Sequence, residues 1–403
     1  MLRTSLVILL SALLFQPVFG EDTSVRPYKI AVRDEVLEDL NERLDRTRFP
    51  DQIQNAGWSY GTDINYLKEL VAYWRTQYDW PKHEAQLNAF DQFITEIDGV
   101  DVHFIHQRSK VENALPIIIT HGWPGSVCEF VDIIGPLTDP EAFGGSARDA
   151  FHVICPSMPG FGFSGIPDQS GYSVARMGET MAKLMARLEY DRYAAQGGDW
   201  GASVTAWLGE KDADHLVGIH LTLPRSGPGQ GVTDPFAGVP AWEIQRREAR
   251  EKELEDHWAY SQIQGTRPQA LGYALNDSPV GLAGWIVDKY YAWSDCQGNI
   301  ENAFTKDQLL TNIMIYWTTG TITSSTRIYY ETRLDNWNRG YIGVPTAVAV
   351  FPKEIRIPIR SWVEQGYNVQ QWTEMPRGGH FAALEEPELL VEDIRKFFRI
   401  FRQ

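Results

Sequence analysis

Apolar and polar positions alternate most regularly near residue 100. Phe93-Ile94-Thr95-Glu96-Ile97-Asp98-Gly99-Val100-Asp101-Val102-His103-Phe104-Ile105-His106 switches between them on both sides of an Asp-Gly pair, the pattern of a β-hairpin. Upstream, from Pro27 to about Gln92, the period is helical. Val36, Leu37, Leu40 and Leu44 form one stripe, and Tyr66, Leu67, Leu70 and Trp74 a second. Phe49-Pro50-Asp51 and Gly57-Trp58-Ser59-Tyr60-Gly61 read as loop between them, and the Trp and Tyr content predicts a segment wrapped against the rest of the chain.

Downstream, short apolar runs alternate with helical stretches. Pro116 to Thr120, Phe151 to Cys155, the run ending in Tyr193-Ala194-Ala195, and Val217 to Thr222 read as buried strands; helices are expected from about Cys128 and from Val174 to Leu188. This alternation predicts an α/β architecture, a mostly parallel central sheet with helices on both faces and functional loops beyond the strands' carboxyl ends. Between about Pro224 and Gly340 it stops. That helix-rich, aromatic stretch reads as an insertion covering the site, a lid that excludes water. Val344 to Phe351 and Val369 to Trp372 return to strand, and a helix from Glu388 to Phe401 ends the chain. The expected organisation is thus a leader at 1–20, a helical wrap at 21–92, core at 93–223, lid at 224–340 and core again at 341–403.

Composition narrows the partners. A net charge of −16 in 403 residues argues against a phosphate-binding surface, so nucleic acid is excluded as a partner. Arg3 ahead of an apolar run from Leu6 to Phe15, with Val18 and Gly20 before Glu21, reads as a cleavable signal peptide and predicts export; an uncleaved membrane anchor is the alternative. The three cysteines, Cys128, Cys155 and Cys296, do not make a disulfide-built protein, and the first two read as buried thiols. His103 and His106, three apart on a strand, point to opposite faces and read as structural, not as a metal pair.

The chemistry is concentrated at Gln196-Gly197-Gly198-Asp199-Trp200-Gly201-Ala202, between an apolar strand and an Ala/Val/Trp-rich helix. Small residues at this spacing allow the sharp strand-to-helix turn that exposes a central nucleophile, here Asp199 in place of serine. A carboxylate is ionised at neutral pH and needs no base to attack. On an acyl group it would give a mixed anhydride, so its useful target is a saturated carbon with a leaving group, as in an epoxide or an alkyl halide. His121-Gly122-Trp123-Pro124-Gly125-Ser126, after a buried strand, is placed to present a second oxyanion-hole amide; Trp123 and Trp200 are assigned those N–H groups, and His121 a structural hydrogen bond. With nucleophile, acid and histidine expected in that chain order, Glu354 just beyond a strand and His380 in a Gly-rich loop are the candidate orienting acid and base. His257, beside Trp258, reads as lid packing. No metal or organic cofactor is called for, since nucleophile, base and acid are all side chains.

These stretches, with Ala274 to Leu282 and Tyr316-Trp317-Thr318-Thr319-Gly320-Thr321 in the lid and Gly378-Gly379-His380-Phe381, resemble the epoxide hydrolases of the microsomal type over nearly all the chain after its leader. The resemblance implies an α/β-hydrolase fold and conversion of an epoxide to a vicinal diol. It also implies Asp199 as nucleophile, Glu354 and His380 as the charge pair, and a cis peptide before Pro124. Tyr260 and Tyr329, or Tyr330 adjoining the latter, are implied as lid tyrosines that bind the epoxide oxygen. The aromatic residues of the lid point to an apolar substituent, so the expected substrate is a small apolar epoxide. The short leader departs from the membrane anchor of microsomal members, so membrane association is open but not expected. A haloalkane dehalogenase and a non-catalytic binding protein on the same fold are the other two classes.

Overall fold

The computed structural model describes residues 22–229 and 231–402, so the expected leader lies outside the described residues. Among the described residues nine strands form one sheet: β1 (Arg26–Tyr28), β2 (Gln92–Ile97), β3 (Val100–Gln107), β4 (Leu115–Thr120), β5 (Phe151–Pro156), β6 (Tyr193–Gly197), β7 (Leu216–Leu221), β8 (Ile342–Val350) and β9 (Tyr367–Glu374), in the order β1-β2-β3-β5-β4-β6-β7-β8-β9. The first three strands run antiparallel, β3 meets β5 antiparallel, and everything beyond is parallel. Because parallel strands are covered on both faces, β4, β6 and β7 are mostly apolar and show no alternation of buried and exposed positions.

Ile219 on β7 points toward Gly209 of the helix Asp199–Lys211, whereas its neighbour Gly218 faces Phe397 of the terminal helix Pro387–Phe398, so helices pack on opposite faces of the sheet. Pro345 sits inside β8 where the chain lacks an N–H to donate, and the ladder to β9 shifts register there.

Two features of the N-terminal region differ from the helical expectation or refine it. Arg26–Tyr28 is a strand, paired with β2 through Pro27↔Phe93. Three residues carry no measurable period, and only the distant hairpin edge makes them a strand. The following helices, Asp34–Asp45 and Ile64–Thr76, wrap around the lid and not around the core. Trp58 stacks on Tyr291 at 3.9 Å, Thr62 donates to the Gly284 carbonyl, and Arg43 reaches Asp277.

The region between β7 and β8 holds the helices Ala241–Glu253, Ala259–Thr266, Pro268–Asp277, Pro279–Trp293, Lys306–Thr319 and Ile322–Leu334. Among the described residues no helix is long and apolar enough to cross a membrane. His103 is buried between Ser157 and Gln92, and His106 meets the Tyr190 hydroxyl. Cys128, Cys155 and Cys296 are buried free thiols.

What matters for the site is the alignment of strand ends. Thr120 of β4 pairs with Gly197 of β6, Gly197 with Leu221 of β7, and Leu221 with Val348 of β8. The loops following these strands therefore emerge side by side.

Candidate active site

Asp199 turns the corner between β6 and its helix at φ 47°, a left-handed conformation that a non-glycine residue holds only when its surroundings enforce it. Close packing enforces it here. A Cβ on Gly201 would lie 1.9 Å from the Thr120 carbonyl oxygen, and one on Gly122 would lie 2.3 Å from Asp199 Cβ. Any side chain at either position would push the elbow away from β4.

The loop after β4 supplies the next contact, with the Trp123–Pro124 bond in the cis form. The Trp123 amide donates to Asp199 Oδ1 at 2.8 Å, and the Trp200 amide also favours the charged carboxyl. Burial raises the Asp199 pKa above the ordinary carboxylate value, opposed by the His380 charge and these two amides. Asp199 Oδ2 faces His380 Nε2 at 3.6 Å, and His380 Nδ1 meets Glu354 Oε1 at 2.5 Å. The three residues expected to act together are brought together, in chain order, by loops from three strands. His121 is spent on structure: Nδ1 meets the Gly122 carbonyl, and Nε2 accepts from the Met158 amide. His257 does not line the cavities around Asp199.

His380 carries opposing influences. Burial alone would lower its pKa, but the carboxylates of Glu354, Asp199 and Glu129 outweigh that and hold it at about 9. It is thus an imidazolium at neutral pH while Asp199 is charged.

Asp199 borders two cavities of different size. The larger, about 640 Å³, is lined by Asp199, Trp200, Trp258, Tyr260, Tyr329 and Arg356 among others. The smaller, about 30 Å³, is lined by Asp199, His380, Glu129, Gly122 and Trp123, with room for about one or two water molecules. Tyr260 and Tyr329 come from different lid helices and are 5% and 9% exposed. Tyr260 stacks on Trp123 at 5.5 Å, Tyr329 stands edge-on to Trp200 at 4.8 Å, and their own rings are 5.8 Å apart. Tyr330 lies outside both cavities, with Arg333 over its ring. Burial raises the pKa of Tyr260 and Tyr329 well above the ordinary phenol value, so both are protonated throughout the working range.

Sequence reasoning missed three residues around this centre. Glu129 lies in the small cavity, its carboxyl pushed up to about 8 by burial, with the His380 charge pulling it down and that of Asp199 pushing it up. Arg250, buried in the first lid helix, donates to the carbonyls of Glu354, Lys353 and Ala292, tying the loop of Glu354 to the lid. Glu385 accepts from the Phe381 and Asp295 amides and braces the loop of His380. The apolar run at Val127-Cys128-Glu129-Phe130, broken by one carboxylate, is the sequence signal for Glu129; the other two looked like ordinary helix surface. The lid stretch around Tyr316 has a local task, since Tyr316 donates to the Gly125 carbonyl and Asn312 to that of Pro124.

Comparison with known proteins follows the same geometry. Residues 25–130 match the family described as epoxide hydrolase N terminus, and residues 116–256 the alpha/beta hydrolase fold. Epoxide hydrolase 1 of Oryctolagus cuniculus is 39% identical over 424 aligned positions, covering 95% of this chain and 90% of that one. The chain belongs to the epoxide hydrolase family. Among solved structures, the juvenile hormone epoxide hydrolase of the silkworm Bombyx mori superposes with a TM-score of 0.87 at 29% identity, over 95% of this chain and 96% of that one. The epoxide hydrolase of Aspergillus niger gives 0.84 at 30% identity, over 94% and 97%. Family membership makes the protein an enzyme that hydrolyses epoxides, which removes the dehalogenase and binding-protein alternatives.

Proposed function

We propose that the enzyme opens an apolar epoxide in two covalent steps, with Asp199 as nucleophile, Tyr260 and Tyr329 as proton donors, and His380, oriented by Glu354, as base. One observation carries this reading: Asp199 stands between a substrate-sized cavity that contains both tyrosines and a water-sized cavity that contains His380. Ring opening and hydrolysis thus have separate sides of the same carboxyl group.

In the first step Oδ2 attacks an epoxide carbon, the C–O bond breaks, and a tyrosine proton goes to the departing oxygen. The product is an Asp199 alkyl ester bearing a neighbouring hydroxyl. Oδ1 is already held by the Trp123 amide, so the ester carbonyl forms inside its own oxyanion hole. In the second step His380, neutral once esterification has removed the Asp199 charge, takes a proton from water and the resulting hydroxide adds to the ester carbon; collapse expels the diol as its alkoxide, which takes the proton of the newly formed Asp199 carboxyl, and the proton held by His380 returns to the tyrosinate left by the first step. Trp258, Tyr260, Tyr329, Trp337, Leu223 and Ile355 give the larger cavity apolar walls, which suits an apolar body next to the epoxide.

The scheme predicts where oxygen goes. In a single turnover in heavy-oxygen water the first diol should be unlabelled and Asp199 labelled, because water attacks the ester carbonyl. Mass spectrometry of the diol and of the Asp199 peptide reads both; label in the first diol means that water opens the epoxide directly.

We also infer export, from the apolar Leu6 to Phe15 run between Arg3 and the small residues before Glu21. N-terminal sequencing of secreted protein should begin near Glu21, and an intact Met1 would argue for an anchor instead.

A further inference from the structure

We propose that the larger cavity selects epoxides that carry a carboxylate, held by Arg225 and Arg356. This rests on the reading of that cavity as the epoxide site and narrows its substrate class to epoxy carboxylic acids.

The chain as a whole is acidic, with 53 acidic against 37 basic side chains, yet the lining of this cavity has the opposite sign. Arg225, Arg247, Arg339 and Arg356 border it, and Asp199 is its single carboxylate among the described residues. Two of the four arginines are committed elsewhere. Arg247 pairs with Glu251 and donates to the Ile357 carbonyl, and Arg339 donates to the Arg225 carbonyl and to the Tyr367 hydroxyl.

Arg225 and Arg356 are different. Among the described residues neither has a carboxylate within ion-pair distance, and each lies over an indole, Arg225 over Trp200 at 5.3 Å and Arg356 over Trp258 at 4.9 Å. A guanidinium laid on an aromatic face keeps its edge N–H donors free for a planar, two-oxygen acceptor. Both supporting tryptophans line the same cavity as Tyr260 and Tyr329. Both arginines are exposed to solvent whereas Tyr260 and Tyr329 are buried, so Arg225 and Arg356 stand where this cavity opens outward. Two like charges at one opening attract an anion, and Asp199 disfavours an anion placed deep in the cavity beside it. A carboxylate at the far end of an apolar chain meets both conditions. Hydrolysis leaves it untouched, so the diol acid formed carries the same charge.

The test uses the whole protein and matched pairs: terminal epoxides of increasing chain length as the carboxylic acid and as its methyl ester. At the best length kcat/KM should favour the acid by about tenfold or more at low salt, and the Arg225→Gln/Arg356→Gln double variant should abolish that ratio. A folding-independent arm uses the parental enzyme alone: saturated fatty acids of the same lengths should inhibit turnover of a neutral epoxide competitively, and their methyl esters should do so at least tenfold more weakly. An ester preferred at every length, an acid preference that survives the double variant, or equal inhibition by acid and ester overturns the proposal while leaving epoxide hydrolysis intact. Failure of both members of every pair to turn over or to alkylate Asp199 would instead overturn the epoxide reading of the cavity, and this proposal with it.

Discussion

His380→Gln should alkylate on Asp199 and stop there. In the proposed scheme attack needs only the ionised Asp199 carboxylate and the two tyrosines, none of which the substitution removes; hydrolysis needs a base on the side of the small cavity, which His380 lines. Loss of a general base costs roughly 10²–10⁴ in rate, so turnover should fall by that factor while intact-mass spectrometry finds an adduct of substrate mass. The parental enzyme should show the same logic through pH. With Asp199, Glu354, Glu129 and Glu385 around it, His380 stays protonated up to about 9 in the free enzyme. Esterification removes the Asp199 charge, so the His380 pKa in the intermediate must lie lower. The neutral base therefore grows with rising pH, hydrolysis speeds up, and the steady-state adduct should be most abundant at low pH. Glu129→Gln belongs in the same experiment. At about 8 the Glu129 carboxyl is mostly protonated near neutrality and can both donate to and accept from a water beside His380. Its loss should slow hydrolysis roughly ten- to a hundredfold through misplacement of that water, and alkylation much less. An adduct that fails to form in His380→Gln despite a normal thermal melt would sink the two-step scheme.

Removing both phenols should have the opposite signature, with formation of the adduct itself slowed. Ring opening develops an alkoxide, a far more basic leaving group than a halide, and the proton must come from the side opposite Asp199. Tyr260 and Tyr329 line the large cavity with Asp199, their ring centroids 5.8 Å apart, and their raised pKa values keep their protons on. A single oxyanion donor is worth roughly 10²–10³ in rate, and two that share one oxygen replace each other in part. Tyr260→Phe and Tyr329→Phe should each slow single-turnover alkylation by less than that factor, and the double variant by more than 10³, a range the same source of stabilisation permits. Each change deletes one oxygen from a buried ring that keeps its aromatic contacts, so the thermal melt should move little. Alkylation at the parental rate in a folded double variant would strike both tyrosines from the mechanism.

The sequence by itself determined the parts whose geometry is local. An Asp-Gly pair between alternating runs makes a hairpin wherever it lies, and the glycines around Asp199 permit a sharp strand-to-helix turn because they lack a Cβ. The order Asp199, Glu354, His380 was legible for the same reason: each follows a strand or Gly-rich loop of recognisable period. Tertiary structure alone decided what depends on distant segments meeting. The strand Arg26–Tyr28 exists because the β2 edge pairs with it. Tyr329 faces the cavity and Tyr330 does not because helix Ile322–Leu334 is held in one rotation, which a run of two tyrosines leaves undetermined. Glu129, Arg250 and Glu385 became visible as parts of the site only when burial shifted one carboxyl and hydrogen bonds tied the loops of Glu354 and His380 to the lid. The same holds for Arg225 and Arg356: 131 residues apart in sequence, their charges share a cavity because the sheet aligns the ends of β7 and β8, and no periodicity encodes that register.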